Sequence, residues 1–181
     1  MQRIKAVGLE QSSGKTKELI EKVENQLGMI PVMLTTLANS PVALEAYIHF
    51  WDALDRGILP ADLRQKIALC VAEFNGADYC VSARCAMGKC TGLTDEEIQD
   101  SRLGQSPDRK TEAVLRFVRK VLDSKGNVSS DEIKRLKNLG FTDEAITEII
   151  ANGVFVLFSN YFNNVAGTVI DFPKAKKLED H

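Results

Sequence analysis

Histidine is scarce in this 181-residue chain, limited to His49 and His181. The four cysteines, Cys70, Cys80, Cys85 and Cys90, never fall in a C-x-x-C spacing. A zinc-type site needs clustered ligands of both kinds, so neither a metal nor a cofactor is expected. Charge of one sign is also missing: 23 basic and 25 acidic residues leave a net charge of −2. A nucleic-acid partner would call for a basic stripe, and none is expected. Long uncharged apolar runs are absent, which argues against a bilayer span. The opening "MQRIKAVGLEQSSGKTKELIEK" has no apolar signal core, so a cytoplasmic protein with reduced thiols is expected. No stretch rich in proline, glycine or serine divides the chain. One domain over 1–181 is therefore expected, with an extended segment at 1–15 and a tail at 172–181.

What is present reads as helix throughout. From Thr16 an amphipathic helix carries Leu19, Ile20, Val23 and Leu27 and ends at Gly28. In "NSPVALEAYIHFWDALDRG" Ser40 caps, Pro41 takes the first helical position, and Leu44, Tyr47, Ile48, Trp51 and Leu54 share one face. The next helix, from Pro60, aligns Leu63, Ile67, Val71 and Phe74. Gly76 breaks it, and a new helix carries Cys80. "LTDEEI" reads as a capping box of Thr94 and Glu97. "FTDEAITEIIANGVFVLFSNYF" opens on a similar cap but is apolar on nearly every side from Val154 to Phe158. Such a helix must be covered by a core or by another subunit.

Few residues stand out as chemistry. "GLEQSSGKT" has one residue too many between Gly8 and Gly14 for a phosphate loop, and no βαβ pattern follows. His49 lies on a polar face near Glu45 and Asp52, and Cys70 lies among core positions. Cys80 and Arg84 are four apart and share a helix face, where a guanidinium favours a thiolate. The plainer alternative is a packed cysteine beside an unrelated arginine. Cys80 and Cys85 are five apart, with Cα atoms roughly 8 to 9 Å from each other on an intact helix, too far for a disulfide.

"LPADLRQKIALCVAEFNGADYCVSAR" followed by "GLTDEEI" resembles the core of the carboxymuconolactone decarboxylase/alkylhydroperoxidase D-like superfamily. "SSGKTKELIEKVENQLGMIPVMLTTLANSPVALEAY" and "NYFNNVAGTVIDFP" are similar to its peroxidase-related branch. The resemblance implies an all-α, single-domain helical fold of the alkylhydroperoxidase D-like type, assembled as a homo-oligomeric trimer or hexamer. Active members carry a glutamate, then C-x-x-C-x-x-x-H twelve residues on, with the cysteines cycling to a disulfide and the other two relaying protons. On this chain the glutamate position holds Gln65, the first cysteine Ala77, the second Cys80, and the histidine Arg84.

These changes are chemical. Gln65 cannot titrate, Arg84 cannot release its proton, and Ala77 removes the partner sulfur. A one-cysteine cycle remains, in which Cys80 reduces a small hydroperoxide through a sulfenic acid and an external thiol restores it. Cys85 is the candidate resolving thiol from another helix or subunit. The expectation is an antioxidant oxidoreductase acting through Cys80 with Arg84 and Gln65. The alternatives are a non-catalytic oligomeric scaffold, or a cofactor-free lactone decarboxylase relative. The last is weakened because neither Gln65 nor Arg84 supplies a general acid or base.

Overall fold

Local capping chemistry sets most of the helix boundaries. The computed structural model describes residues 2–8, 10 and 12–178, so the last residues of the expected tail, His181 included, lie outside it. Among the described residues the chain is helical, with no strand. α1 (Gly14–Leu27) starts where the apparent phosphate loop would have been and closes at Gly28, whose left-handed φ of 70° suits glycine. α2 (Val32–Leu37) is a short helix that starts after Pro31. α3 (Pro41–Asp55) begins as expected, with Ser40 accepting from the Ala43 amide. α4 (Ala61–Phe74) ends at a turn in which Gly76 takes φ 57° and the Ala77 amide reaches the Ala72 carbonyl.

α5 (Asp78–Cys90) follows at once, so Cys80 stands in its first turn and Ala77 is its N-cap. α6 (Asp95–Leu103) carries the full Thr94–Glu97 capping box. α7 (Arg109–Asp123) is capped by Asp108, α8 (Ser130–Asn138) ends before Gly140, and α9 (Asp143–Ala166) is capped by Thr142.

α4 is the hub and packs against α5, α6, α7 and α9. That position explains its composition: every residue from Lys66 to Ala72 is buried. Phe74, expected on the buried stripe, is instead exposed, and the Arg119 guanidinium lies over its ring at 5.9 Å. The stripe rotates off the core in the last turn, and a cation covers what the core does not. His49 is exposed, but its acidic neighbours are engaged elsewhere: Glu45 pairs with Lys15 and Asp52 with Lys22, which fastens α1 to α3.

α9 departs most from expectation. Its inward face carries Asn152, Ser159, Asn160 and Asn163 beside Ile146, Ile149, Phe155 and Val156. Its outward face carries Ile150, Val154, Phe158, Tyr161 and Val165, between 38% and 62% exposed. By length and apolarity α9 could also cross a membrane, yet half of its most apolar window is buried against this chain. The segment after α9 is docked rather than trailing. Asp171 accepts from the Val32 amide at 2.6 Å, and the Ala175 amide donates to Ser82 Oγ at 3.1 Å.

The α6 cap carries a pH dependence. The Thr94 amide and then the Lys66 ammonium, 3.0 Å away, hold the Glu97 carboxyl below its ordinary value of 4.5. A lowered native pKa contributes stability above the unfolded value and loses it as pH falls through the native one. Glu97→Gln should therefore melt below wild type at pH 7, and the gap should close below pH 4.5. A gap in Tm that stays constant from pH 7 to pH 3 would contradict this.

Candidate functional site

The tight α4–α5 turn aims the first turn of α5 at α9. Asn160 Oδ1 accepts from Asn75 Nδ2 at 3.0 Å, and Asn164 Nδ2 donates to the Asn75 carbonyl at 3.3 Å, so two α9 amides pin that turn. The inward polar residues of α9 thus have partners that no local pattern foretells. Asn163 Nδ2 donates to Cys80 Sγ at 3.2 Å. Ser159 spends its own hydrogen on the Val156 carbonyl at 2.8 Å, which leaves its oxygen, 4.0 Å from Cys80 Sγ, as an acceptor.

Cys80 is only 4% exposed, yet its side chain lines a cavity of about 50 Å³. That volume holds a few water molecules or the reactive end of a small ligand. Tyr47 and Trp51 from α3, Tyr79 and Arg84 from α5, Ser159 from α9 and Phe172 from the docked tail form its walls. Apolar residues dominate the lining, and Arg84 is its charged member. Burial pushes the Tyr47 hydroxyl up to about 12, and the nearby Arg84 charge offsets this in part. Tyr79 is pushed up as well, chiefly by burial, while its oxygen accepts from the Met33 amide at 3.2 Å. Both phenols are therefore neutral at pH 7, and neither can serve as a base there.

The structure brings together three of the residues singled out from sequence. Cys80 and Arg84 line the same cavity, and Gln65 Oε1 accepts from Arg84 Nη1 at 3.4 Å across the α4–α5 contact. The guanidinium thus meets Gln65, while the sulfur meets Asn163 and Ser159. Ala77 is fully buried at the N-cap of α5.

Cys85 does not line the cavity; it is half-buried against Leu69, Leu93 and Ile98, and burial pushes its thiol up. Since α5 runs unbroken from Asp78 to Cys90, Cys85 cannot reach Cys80 within the chain. All four cysteines are free. Cys70 is sealed in the core, where burial raises it to about 12, so its thiol is inert. Tyr47, Ser159 and Asn163 were not read as site residues from sequence. The only signal for Asn163 was its place in "NYFNNVAGTVIDFP", where nothing marks which asparagine faces inward.

Among the described residues no three histidine, cysteine or acidic side chains gather as a metal set. The cavity lining likewise holds no carboxylate and no histidine.

The profile of the carboxymuconolactone decarboxylase family matches residues 41–123, the stretch from α3 through α7 that contains every wall residue of α3 and α5. No curated protein matches the sequence. Among solved structures, the chain is similar to an alkylhydroperoxidase AhpD core, a peroxidase-related protein from Ralstonia eutropha JMP134. The identity is 25%, the TM-score 0.86, and the match covers 94% of this chain and 92% of that one. A peroxidase-related protein from Silicibacter sp. TM1040 has the same fold at 20% identity, TM-score 0.80, over 93% and 92% of the two chains. So does the debrominase Bmp8, solved in complex with 2,3,4-tribromopyrrole, at 19% identity and TM-score 0.79 over 93% and 91%.

Proposed function

The chain belongs to the carboxymuconolactone decarboxylase/alkylhydroperoxidase D-like superfamily, and on that footing we propose that it is a thiol-dependent peroxidase acting through Cys80 alone. The observation that carries this reading is the cavity itself. A buried sulfur opens onto a small apolar space with one fixed cation in its wall. Cys80 Sγ attacks the outer oxygen of a hydroperoxide R–O–O–H. The S–O bond forms, the O–O bond breaks, and the products are Cys80 sulfenic acid and the alcohol R–OH.

One external thiol then displaces water to give a mixed disulfide, and a second releases Cys80 and leaves as a disulfide with the first. The peroxide gains the two electrons that the two external thiols lose. Arg84, held from behind by Gln65, stabilises the negative charge developing on the leaving oxygen. Its permanent charge rules it out as a proton relay. The aromatic walls favour an organic hydroperoxide over a fully hydrated one.

Assembly belongs to the same proposal. The outward stripe of α9 is too apolar for solvent, and a second copy of the chain covers it in a homo-oligomer, a trimer or a hexamer.

The test is site-resolved. Wild-type protein treated with an alkyl hydroperoxide should oxidise Cys80 faster than the exposed Cys90 or the half-buried Cys85. Arg84→Ala should slow that step by on the order of 10²-fold, the effect of one lost charge-stabilising donor. Arg84→Lys should keep part of the rate, since the charge stays without the fork. If Cys80 reacts no faster than the other two, the peroxidase reading fails and the non-catalytic scaffold reading takes its place. A lactone decarboxylase would need a base that the lining lacks.

A further inference from the structure

Asn163 is 3% exposed, and its side-chain oxygen, Oδ1, has no hydrogen-bond partner. An acceptor buried and left unpaired gives up its water without a replacement, a cost the fold must offset. Its nitrogen is spent on Cys80 Sγ, a weak acceptor, at 3.2 Å. The second neighbour of the sulfur, Ser159 Oγ, also faces it as an acceptor, because the serine hydrogen is committed to Val156. Cys80 thus meets one donor, Asn163 Nδ2, and one acceptor, Ser159 Oγ, while the oxygen of the amide that donates to it stays unpaired. The arrangement is over-supplied for the reduced residue.

It matches a different group. A sulfenic acid, S–O–H, adds an oxygen that accepts and a hydrogen that donates strongly. The Asn163 amide presents a donor and an acceptor side by side, so Nδ2–H can hold the new oxygen while Oδ1 takes its hydrogen. We propose that Asn163 is the residue that holds Cys80 as a sulfenic acid, the role a second sulfur would otherwise fill by closing a disulfide. This rests on the peroxidase reading above and deepens it. With Ala77 at the N-cap and Cys85 out of reach, the oxidised sulfur has no partner thiol in its own chain. It must persist until an external thiol arrives. Keeping its hydrogen on Oδ1 also keeps it from ionising, which is the step that lets a sulfenic acid attack a second peroxide and pass irreversibly to the sulfinic acid.

The experiment compares wild type, Asn163→Leu and Asn163→Asp, each confirmed folded by thermal unfolding. Each receives a several-fold excess of an alkyl hydroperoxide without reductant, since the sulfenic acid consumes one equivalent and the sulfinic acid a second. Cys80 sulfenic acid is then followed by a carbon-acid trap and peptide mass spectrometry. In wild type the trapped adduct should persist and the doubly oxygenated form should stay minor. In both variants the lifetime should fall by about 10-fold, the worth of one hydrogen bond of ordinary net strength, with sulfinic acid replacing the adduct.

Asn163→Asp carries a second readout. Its carboxylate has no donor, whereas its acid form has a donor and an acceptor, as the amide does. The lifetime relative to wild type should therefore recover as pH is lowered through the titration of the new carboxyl. A fold-level effect would not reverse in that way. Should Asn163→Leu not fold, the Asn163→Asp pH profile alone decides. Equal lifetimes in all folded variants, with Cys80 still oxidised, would overturn the role of Asn163 and leave the peroxidase reading in place. A wild-type Cys80 that forms no sulfenic acid would overturn both.

Discussion

Cys80→Ser should drop hydroperoxide-dependent oxidation of an external thiol by at least about 10³-fold, the scale on which loss of a sole nucleophile acts. A serine hydroxyl is a far weaker nucleophile at neutral pH and cannot hold the oxidised state, so the cycle has neither a first nor a second step. The substitution is nearly isosteric, and the surroundings accept it. Asn163 can donate to the hydroxyl after a shift of a few tenths of an ångström. Stability should therefore stay within about 1 kcal/mol of wild type while activity disappears, the separation that distinguishes a reacting residue from a packing one. Cys70→Ser is the informative control. Cys70 lies in the core between α4 and α7, its sulfur 3.9 Å from the Leu115 carbonyl. That change should leave the rate per folded molecule intact and act on stability instead. Turnover in Cys80→Ser equal to wild type would remove the catalytic reading entirely.

Charge placed on the outward stripe of α9 should take the assembly apart. Val154 and Phe158 lie one turn apart and are 48% and 46% exposed. Phe158 stacks on Phe162 with ring centroids at 6.5 Å and lies 5.9 Å from the Tyr47 ring, so it links the stripe to the cavity wall. In an assembled interface Val154→Asp with Phe158→Glu would bury two unpaired carboxylates per subunit, each costing several kcal/mol. Exposed in a monomer they cost little. Light scattering should show wild type at a multiple of the 20.0 kDa chain mass and the double variant at one chain. A wild type that is monomeric at micromolar concentration would end the oligomer proposal. A double variant that keeps its size would move the interface elsewhere.

The two halves of the molecule were legible to different degrees. Helix ends are written locally: Ser40 with Pro41, Thr94 with Glu97, and Gly28 act over three or four residues, and each stands where the sequence places it. The break at Gly76 and the helical run carrying Cys80 and Arg84 are of the same kind. Those signals settle an all-α chain and put Cys80 and Arg84 on one face. The resemblance added Gln65, whose contact with Arg84 spans only the neighbouring helix.

What surrounds the sulfur was not legible. Ser159 and Asn163 lie 79 and 83 residues from Cys80 along the chain. Nothing in α9 itself tells an asparagine that will meet a sulfur from one that will meet solvent. By composition α9 reads as apolar all round. In the fold Ser159, Asn160 and Asn163 turn inward beside Ile149, Phe155 and Val156 to hold the α4–α5 turn and Cys80, while Val154, Phe158 and Val165 turn out. Local patterning records which residues a helix has, while the direction each faces depends on where other elements place donors and acceptors. Only the packing of α9 against α4 and α5 decides that.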